Sequence, residues 1–352
     1  MRAQILVAVF LLGAFAASAQ DTPTPQPGQL KDPRAILAAA APFYDFSDPT
    51  LKPFHLKATY QLYDDKGNPS EQGTFEYWWV SPKVHRVSWS RPGATRSDWH
   101  TAGGKQAYVA TGEDLGYFER GLWSALFSPL HAENSTDPAK VVMLRNKLKL
   151  GDTEFVCVSL EPAKLPADLQ PSNFRVFPTQ CFDSTLPVLR IGFSSDGVVV
   201  TAFDNVTRFQ GKFLARAIQE VVGQQKLFSV SVDSIDTLSP ADPALVPTKD
   251  AIFKPDSLHS AGNVETGALV KKRFPVYPRM AKLQGLQGNV LVEVTIGIDG
   301  KVKDPRVIFS SSPLFSAAGL DCVSQWEYEP SLQNGVPIEI HTLINLVFTL
   351  GR

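Results

Sequence analysis

The side chains with the widest chemical range in this sequence are six histidines and three cysteines: His55, His85, His100, His131, His259 and His341, with Cys157, Cys181 and Cys322. A zinc site draws such residues from short repeats such as His-Glu-x-x-His, so that one helix turn aims two ligands at one ion. No histidine here has that spacing, and neither a metal nor a cofactor is expected. A Gly-x-Ser-x-Gly nucleophile elbow is missing as well. Gly103-Gly104-Lys105 has the last letters of a phosphate-binding loop, without the spaced first glycine or the following Ser or Thr. It reads as a hairpin turn. Asp64-Asp65 and Glu113-Asp114 are acidic pairs in turn-like surroundings, where a solvated turn is the default. Asn134-Ser-Thr is a glycosylation sequon by composition alone. No residue is nominated as catalytic, and the expectation is a protein that is not an enzyme. An enzyme of unrecognised type stays open, because carboxylates paired only by the fold leave no mark in the spacing.

The patterns that would position a binding surface are clearer, and they lie at the C-terminal end. Val290, Val292, Val294, Ile296 and Ile298 alternate with Leu291, Glu293 and Thr295, the period of a half-buried strand. Asp299-Gly300 predicts a tight hairpin with positive φ at both turn positions, and Val302 to Ser310 would return as the second strand. Ser312-Pro313 reads as N-cap and first helical residue. Phe315, Gly319, Val323 and Trp326 follow at helical spacing. Pro330 and Asn334-Gly335 end that unit, and Ile338, Ile340, Thr342, Ile344, Leu346 and Phe348 alternate again in a long closing strand. The predicted order is helix, strand, strand, helix, strand.

Tyr277-Pro278, Ala281, Gly288-x-Val290, Asp299-Gly300-x-Val302, Trp326-x-Tyr328-x-Pro330 and Gly335-x-Pro337 before a final aliphatic strand together resemble the C-terminal domain of the TonB family, the periplasmic energy transducers. The resemblance covers about residues 266–350. It implies a three-stranded antiparallel sheet with two helices. It also implies a partner mode: the last strand receives a short extended segment of an outer-membrane transporter, with main-chain hydrogen bonds giving affinity. Transferred here, the contact falls on Ile338, Glu339, Ile340, His341, Leu343, Asn345 and Val347, with Glu339, His341, Leu343, Asn345 and Val347 the more exposed. Transducers often carry a Gln in the stretch before Tyr277, where this chain has Phe274. Tyr277, Gly288, Trp326, Tyr328 and Pro330 read as fold residues. A plain strand with its edge covered is the bland alternative. The family's domains also pair through their strands, so a homodimer is among the expected partners.

Upstream, Asp32-Pro33 opens a short Ala-rich helix. Strand patterns follow at 54–62, 73–80, 84–90, 98–101 and 106–111. A helical stripe then runs from Leu115 to Leu130 with Tyr117, Phe118, Leu122, Leu126 and Phe127, and strands resume at 153–160, 174–182, 187–194, 197–205, 211–221 and 226–236. The fold class expected is α+β, with a large curved antiparallel sheet on helices. Gly73 to Val80 with Ser81-Pro82, and Phe182-Asp183-Ser184-Thr185-Leu186-Pro187-Val188 with Asp196-Gly197, Phe203 and Asn205, resemble the half-barrel of LolA-type lipoprotein carriers. That resemblance implies a lipid or acyl ligand on the concave face and carries over no ligand residue. An unspecified β-rich domain is the alternative.

At the start, Arg2 precedes an apolar run from Ile5 to Ala17, and Ala17-Ser18-Ala19 has the small-x-small form of a signal-peptidase site. The run is shorter than the roughly twenty residues of a membrane span. A cleaved leader over residues 1–19 and a periplasmic location are expected. An uncleaved anchor facing the periplasm, with a TonB-type energy transducer behind it, is the other reading. Residues 20–32 are a Pro-rich linker that at about 3 Å per residue reaches some 40 Å. The expected domains are residues 33–238 (β-rich), a Pro-rich linker at 239–265, and 266–352. In an oxidising compartment Cys157 and Cys181 are a candidate disulfide contributing about 3 kcal/mol, or else two buried thiols; Cys322 reads as a small core residue. The net charge of −1 with 43% hydrophobic and 20% charged residues is a globular composition and argues against nucleic acid, which needs a basic surface.

Overall fold

The computed structural model describes residues 26–130, 141–162, 178–194, 198–254 and 264–350. The leader, His131, the sequon at Asn134 and His259 lie outside these residues.

The chain runs α1 (Pro33–Tyr44), β1 (Phe54–Tyr63), β2 (Pro69–Ser81), β3 (Val84–Arg91), β4 (Ala94–His100), β5 (Gln106–Gly112) and α2 (Tyr117–Phe127). It continues with β6 (Val141–Leu150), β7 (Thr153–Pro162), β8 (Thr179–Asp183), β9 (Leu189–Phe193), β10 (Val200–Phe209), β11 (Lys212–Val222) and β12 (Gln225–Thr237). Three short strands follow, β13 (Ile252–Phe253), β14 (Val264–Glu265) and β15 (Leu269–Lys271), and then α3 (Arg279–Leu283). Last come β16 (Gly288–Ile296), β17 (Val302–Ser310), α4 (Pro313–Val323), β18 (Glu327–Tyr328), β19 (Ser331–Gln333), β20 (Val336–Ile338) and β21 (Ile340–Phe348). Strands dominate, and every pairing described is antiparallel.

Packing divides the chain into two units. Among the described residues, the first takes the chain up to Lys52, Leu56–Gln61 and Leu122–Asp236; the second takes Pro53–His55, Leu62–Gly121 and those from Thr237 on.

In the first unit, strands β12, β11, β10, β9, β8, β7 and β6 lie side by side in that order. Asp32 caps α1 by accepting from the Arg34 N–H at 2.9 Å, and Pro33 fills the first helical position, where no N–H is needed. The helix buries Ile36, Leu37, Ala40 and Tyr44. The Tyr44 hydroxyl accepts from the Leu189 N–H at 2.7 Å, and burial raises its pKa above the phenol range. Lys212 bonds the Pro42 carbonyl and Asp48 at 3.0 and 2.8 Å. Gln210-Gly211 joins β10 to β11 with φ of 48° and 81°, the two-residue turn that matches strand twist. Cys157 and Cys181 face each other across β7 and β8 and are joined by a disulfide. The stretch from Gln26 is seated here: Pro27 is buried, the Gly28 N–H donates to the Ser184 carbonyl at 2.8 Å, and Arg145 donates to the Leu30 carbonyl at 2.8 Å.

In the second unit the order is β13, β5, β4, β3, β2. Gly103-Gly104 forms the β4–β5 hairpin, with Gly104 at φ 76°. Arg86 lies between the Trp78 and Trp99 rings at 4.4 and 4.9 Å. Leu238 and Leu245 pack on Trp78, and the Trp99 indole N–H donates to the Ala244 carbonyl at 2.9 Å. The proline-rich stretch after β12 is therefore fastened to β2–β4 as far as Ala244 and pairs again at Ile252–Phe253 with β5.

The remaining strands of this unit form a three-stranded sheet, β17-β16-β21, with α3 and α4. Val290, Val292, Val294 and Ile296 pack with Phe315, Val323, Ile344, Leu346 and Phe348. Ser312 accepts from the Leu314 N–H as the cap of α4. Three expectations are corrected. Strand β16 is buried on both faces, Leu291 at 0% and Glu293 at 8% exposure, while Ile298, beyond its end, is 55% exposed. The β16–β17 turn has positive φ at Gly300 and not at Asp299: it is the longer loop Gly297–Lys301, closed by the Gly297 N–H on the Lys301 carbonyl. The closing strand is broken at Glu339, because Val336–Ile338 turns away to pair with β19.

Candidate partner-binding edge of the C-terminal sheet

Strand β16 is central, so β21 has a strand partner on one side and, among the described residues, none on the other. An antiparallel edge strand aims the N–H and C=O of every second residue outward. Local sequence holds this edge in place. Phe348 stacks on Phe315 with centroids 4.3 Å apart, and Tyr277 meets both rings edge-on at 5.8 and 5.7 Å, the geometry aromatic quadrupoles favour. The Arg273 carbonyl accepts from the Trp326 indole N–H at 2.8 Å and the Cys322 thiol at 3.2 Å; burial raises the thiol pKa. A Cβ on Gly300 would lie 1.9 Å from the Tyr328 carbonyl oxygen, so only glycine lets the hairpin tip meet the Trp326–Pro330 turn.

The structure separates the residues read from sequence. Ile338 belongs to β20, and Glu339 lies in the break, exposed and paired to Lys303 at 3.1 Å. Ile340, His341, Leu343, Asn345 and Val347 are on β21. Val347 is 59% exposed. His341, Leu343 and Asn345 are half-buried, not the open positions that alternation suggested. His341 Nδ1 lies 3.0 Å from the Thr295 hydroxyl, and Asn345 Oδ1 accepts from the Asn289 amide at 3.0 Å. Burial lowers the His341 pKa first, and Arg120 lowers it further, against Asp114, Glu293 and Glu339.

Why this face is covered is visible in the second unit. The Tyr117 N–H, at the start of α2, donates to Glu293 Oε1, and Arg306 donates to Glu293 Oε2 at 2.6 Å. The Gly116 N–H donates to Glu119 Oε2 at 2.8 Å, and Glu119 also holds Arg91 at 3.0 Å. Two carboxylates thus sit on the first N–H groups of α2, where the helix dipole favours negative charge. One of them comes from β16, 176 residues away in sequence. α4 packs on one face of the sheet, and the start of α2 bonds Glu293 on the other. Sequence reasoning missed Glu293, Arg306 and Tyr117 in this role. The apolar Leu291 on the supposedly open face was the available signal.

Among the described residues, no three His, Cys, Asp or Glu side chains form a group that could hold a metal ion, and no helix is long and apolar enough to cross a membrane. In the first unit, Tyr44, Leu126, Leu189, Phe203 and Ala215 line a cavity of about 10 Å³, room for about one water and far too small for an acyl chain.

Comparison with known proteins adds the following. The chain is 29% identical over 89 residues to Protein TonB of Vibrio cholerae, covering 25% of this chain and 36% of that one. It is 39% identical over 62 residues to Protein TonB of Pseudomonas aeruginosa, covering 17% and 18%. The match therefore spans about a third of one relative's length and less than a fifth of the other's. A LolA superfamily protein from Nitrosomonas europaea aligns over 61% of this chain and 97% of its own, at 11% identity and a TM-score of 0.31. Residues 273–350 match the family described as Gram-negative bacterial TonB protein C-terminal.

Proposed function

We propose that this chain is a non-enzymatic adaptor of the cell envelope that takes an extended segment of another envelope protein onto the free edge of β21. One observation carries the reading: α4 packs on one face of the C-terminal sheet and the start of α2 bonds Glu293 on the other, while, among the described residues, the outer edge of β21 has no strand beside it. The edges, β17 and β21, are what remain for a partner, and the resemblance to the TonB C-terminal domain favours β21. Strand addition there would form main-chain hydrogen bonds at about four outward residues, each worth about 1 kcal/mol net. Val347 and the half-buried His341, Leu343 and Asn345 would set side-chain preference. The match at residues 273–350 to the family described as Gram-negative bacterial TonB protein C-terminal supports the same mode, and a periplasmic location belongs to this reading.

The test places a photo-crosslinking residue at Val347 in cells. A discrete adduct with one envelope protein is expected. It is lost with Asn345→Pro, and weakened about tenfold with Glu339→Lys plus Thr349→Lys, which guard the edge without altering the backbone. An adduct that survives both variants, in protein whose melting temperature is unchanged for the lysine pair, overturns the edge mechanism.

A further inference from the structure

The stretch Leu269–Leu283 shows a surface that neither the core nor the β21 edge uses. It carries Lys271, Lys272, Arg273, Arg279 and Lys282, and no Asp or Glu occurs anywhere from Thr266 to Val292. It also holds a concentration of exposed apolar side chains: Val270 at 60%, Phe274 at 79%, Val276 at 77%, Met280 at 53% and Leu283 at 70% exposure. Val270, Lys272, Phe274 and Val276 are all exposed within one short stretch. The Lys272 ammonium lies 5.3 Å from the Phe274 ring centroid and 5.7 Å from that of Trp326, which places cation and exposed ring together. The backbone beneath is fixed by the two bonds to the Arg273 carbonyl and by Tyr277 packed on Phe348. Ala281 is buried at 0%, which leaves Arg279, Met280, Lys282 and Leu283 of α3 turned away from the core. Of the five cations, Lys271 is paired, to Glu327.

We propose that Val270–Leu283 is a docking surface for an anionic lipid bilayer, with Phe274 and Val276 entering the headgroup boundary and Lys272, Arg273, Arg279 and Lys282 meeting the lipid phosphates. Charge complementarity decides the occupant. Exposed aromatic and aliphatic side chains interleaved with lysine and arginine, in a segment that has no acid of its own and four cations beyond the Lys271–Glu327 pair, are the composition of surfaces that lie on anionic membranes. A protein groove of ordinary composition would mix in acidic residues. The inference does not depend on strand addition at β21: the stripe could hold the domain against a membrane whether or not that edge is occupied.

The experiment is flotation of the full chain with vesicles of phosphatidylcholine alone and of phosphatidylcholine and phosphatidylglycerol in equal parts. Flotation with the anionic vesicles only, falling as salt is raised, is expected. Arg279→Ala with Lys282→Ala should weaken it about 25-fold, since each basic residue near such a surface is worth about fivefold. Phe274→Ser with Val276→Ser should weaken it about tenfold or more. All four side chains are away from the core, so an unchanged melting temperature will show that the fold survives. No flotation with anionic vesicles, equal flotation with neutral ones, or flotation indifferent to both double variants overturns the proposal. So does a self-association that the Phe274 and Val276 changes abolish while vesicle binding persists, which would assign the stripe to a second copy of this chain.

Discussion

Strands β6 to β12 in one unit and strands β16, β17 and β21 in the other are both antiparallel layers packed on helices, and they are secured by different means. The first is closed from within. Its α1 buries Ile36, Leu37 and Ala40 and ties Tyr44 to Leu189; a disulfide joins β7 to β8; the cavity beside α2 admits about one water. The second sheet is too small for that. It has three strands, a single cluster of core residues, and a hairpin whose tip depends on one glycine. It obtains its second covered face from outside itself, through Glu293 on the start of α2. A small sheet stabilised by a neighbour can leave one edge unpaired, whereas a layer closed on its own helices has its binding surface already occupied by them.

The contrast can be broken in order of size. Gly300→Val should be the most damaging change, because the new side chain meets the Tyr328 carbonyl and forces a β-branched residue to φ 76°. A loss of roughly 3 kcal/mol or more in denaturant unfolding is expected, with amide protection lost across β16, β17 and β21 first. Cys157→Ala with Cys181→Ala should cost about 3 kcal/mol, with protection lost in β6 to β9 and retained in the C-terminal sheet. Glu293→Ala removes an N-terminal partner of α2 and the Arg306 pair, for about 1–2 kcal/mol. Hydrogen exchange should quicken at Tyr117 and at Leu291 together, and a change at only one of them would show that the sheet does not lean on α2.

The smallest effect sharpens the comparison through pH. Burial, with His100 beside it, holds His85 of β3 down to about 4, below its ordinary 6.5. The unfolded chain then binds the proton more readily, so this region loses stability as pH falls from 6.5 towards 4. Burial holds Glu220 of β11 up to about 7, above its ordinary 4.5. Here the folded chain binds the proton more readily, and stability is lost as pH rises from 4.5 towards 7. Between about pH 7 and about pH 5.5 each shift is worth about 1 kcal/mol with opposite sign. The melting temperature should barely move, while amide protection falls in β3–β4 and rises in β10–β11. A parallel change in both would sink this assignment.

Much of the C-terminal sheet was legible because its signals are local: the Ser312-Pro313 cap, the alternation of Val290 to Ile296 and the aromatic set Tyr277, Phe315 and Phe348. The N-terminal strands were legible for the same reason, since turns such as Gly103-Gly104 mark them. Strand β6 was passed over: its mixed Leu144-Arg-Asn-Lys-Leu148 run has no clean period, as suits a strand at the end of the order. The covering of His341, Leu343 and Asn345 could not be read from β21 itself. On that face Thr295 meets His341, Asn289 meets Asn345, and Glu293 is held by the start of α2, partners that alternation treats as unrelated surface positions. Alternation gives the two faces of a strand but not what lies against each.

The disulfide has one more consequence, of connectivity. Cys157 and Cys181 are 24 positions apart, so their bond makes a covalent ring of the intervening chain. A protease that cuts once anywhere within the ring releases no fragment. The cleaved chain keeps its mass plus one water and runs as two pieces only after reduction, so an intact mass on a non-reducing gel is no proof of an uncut backbone.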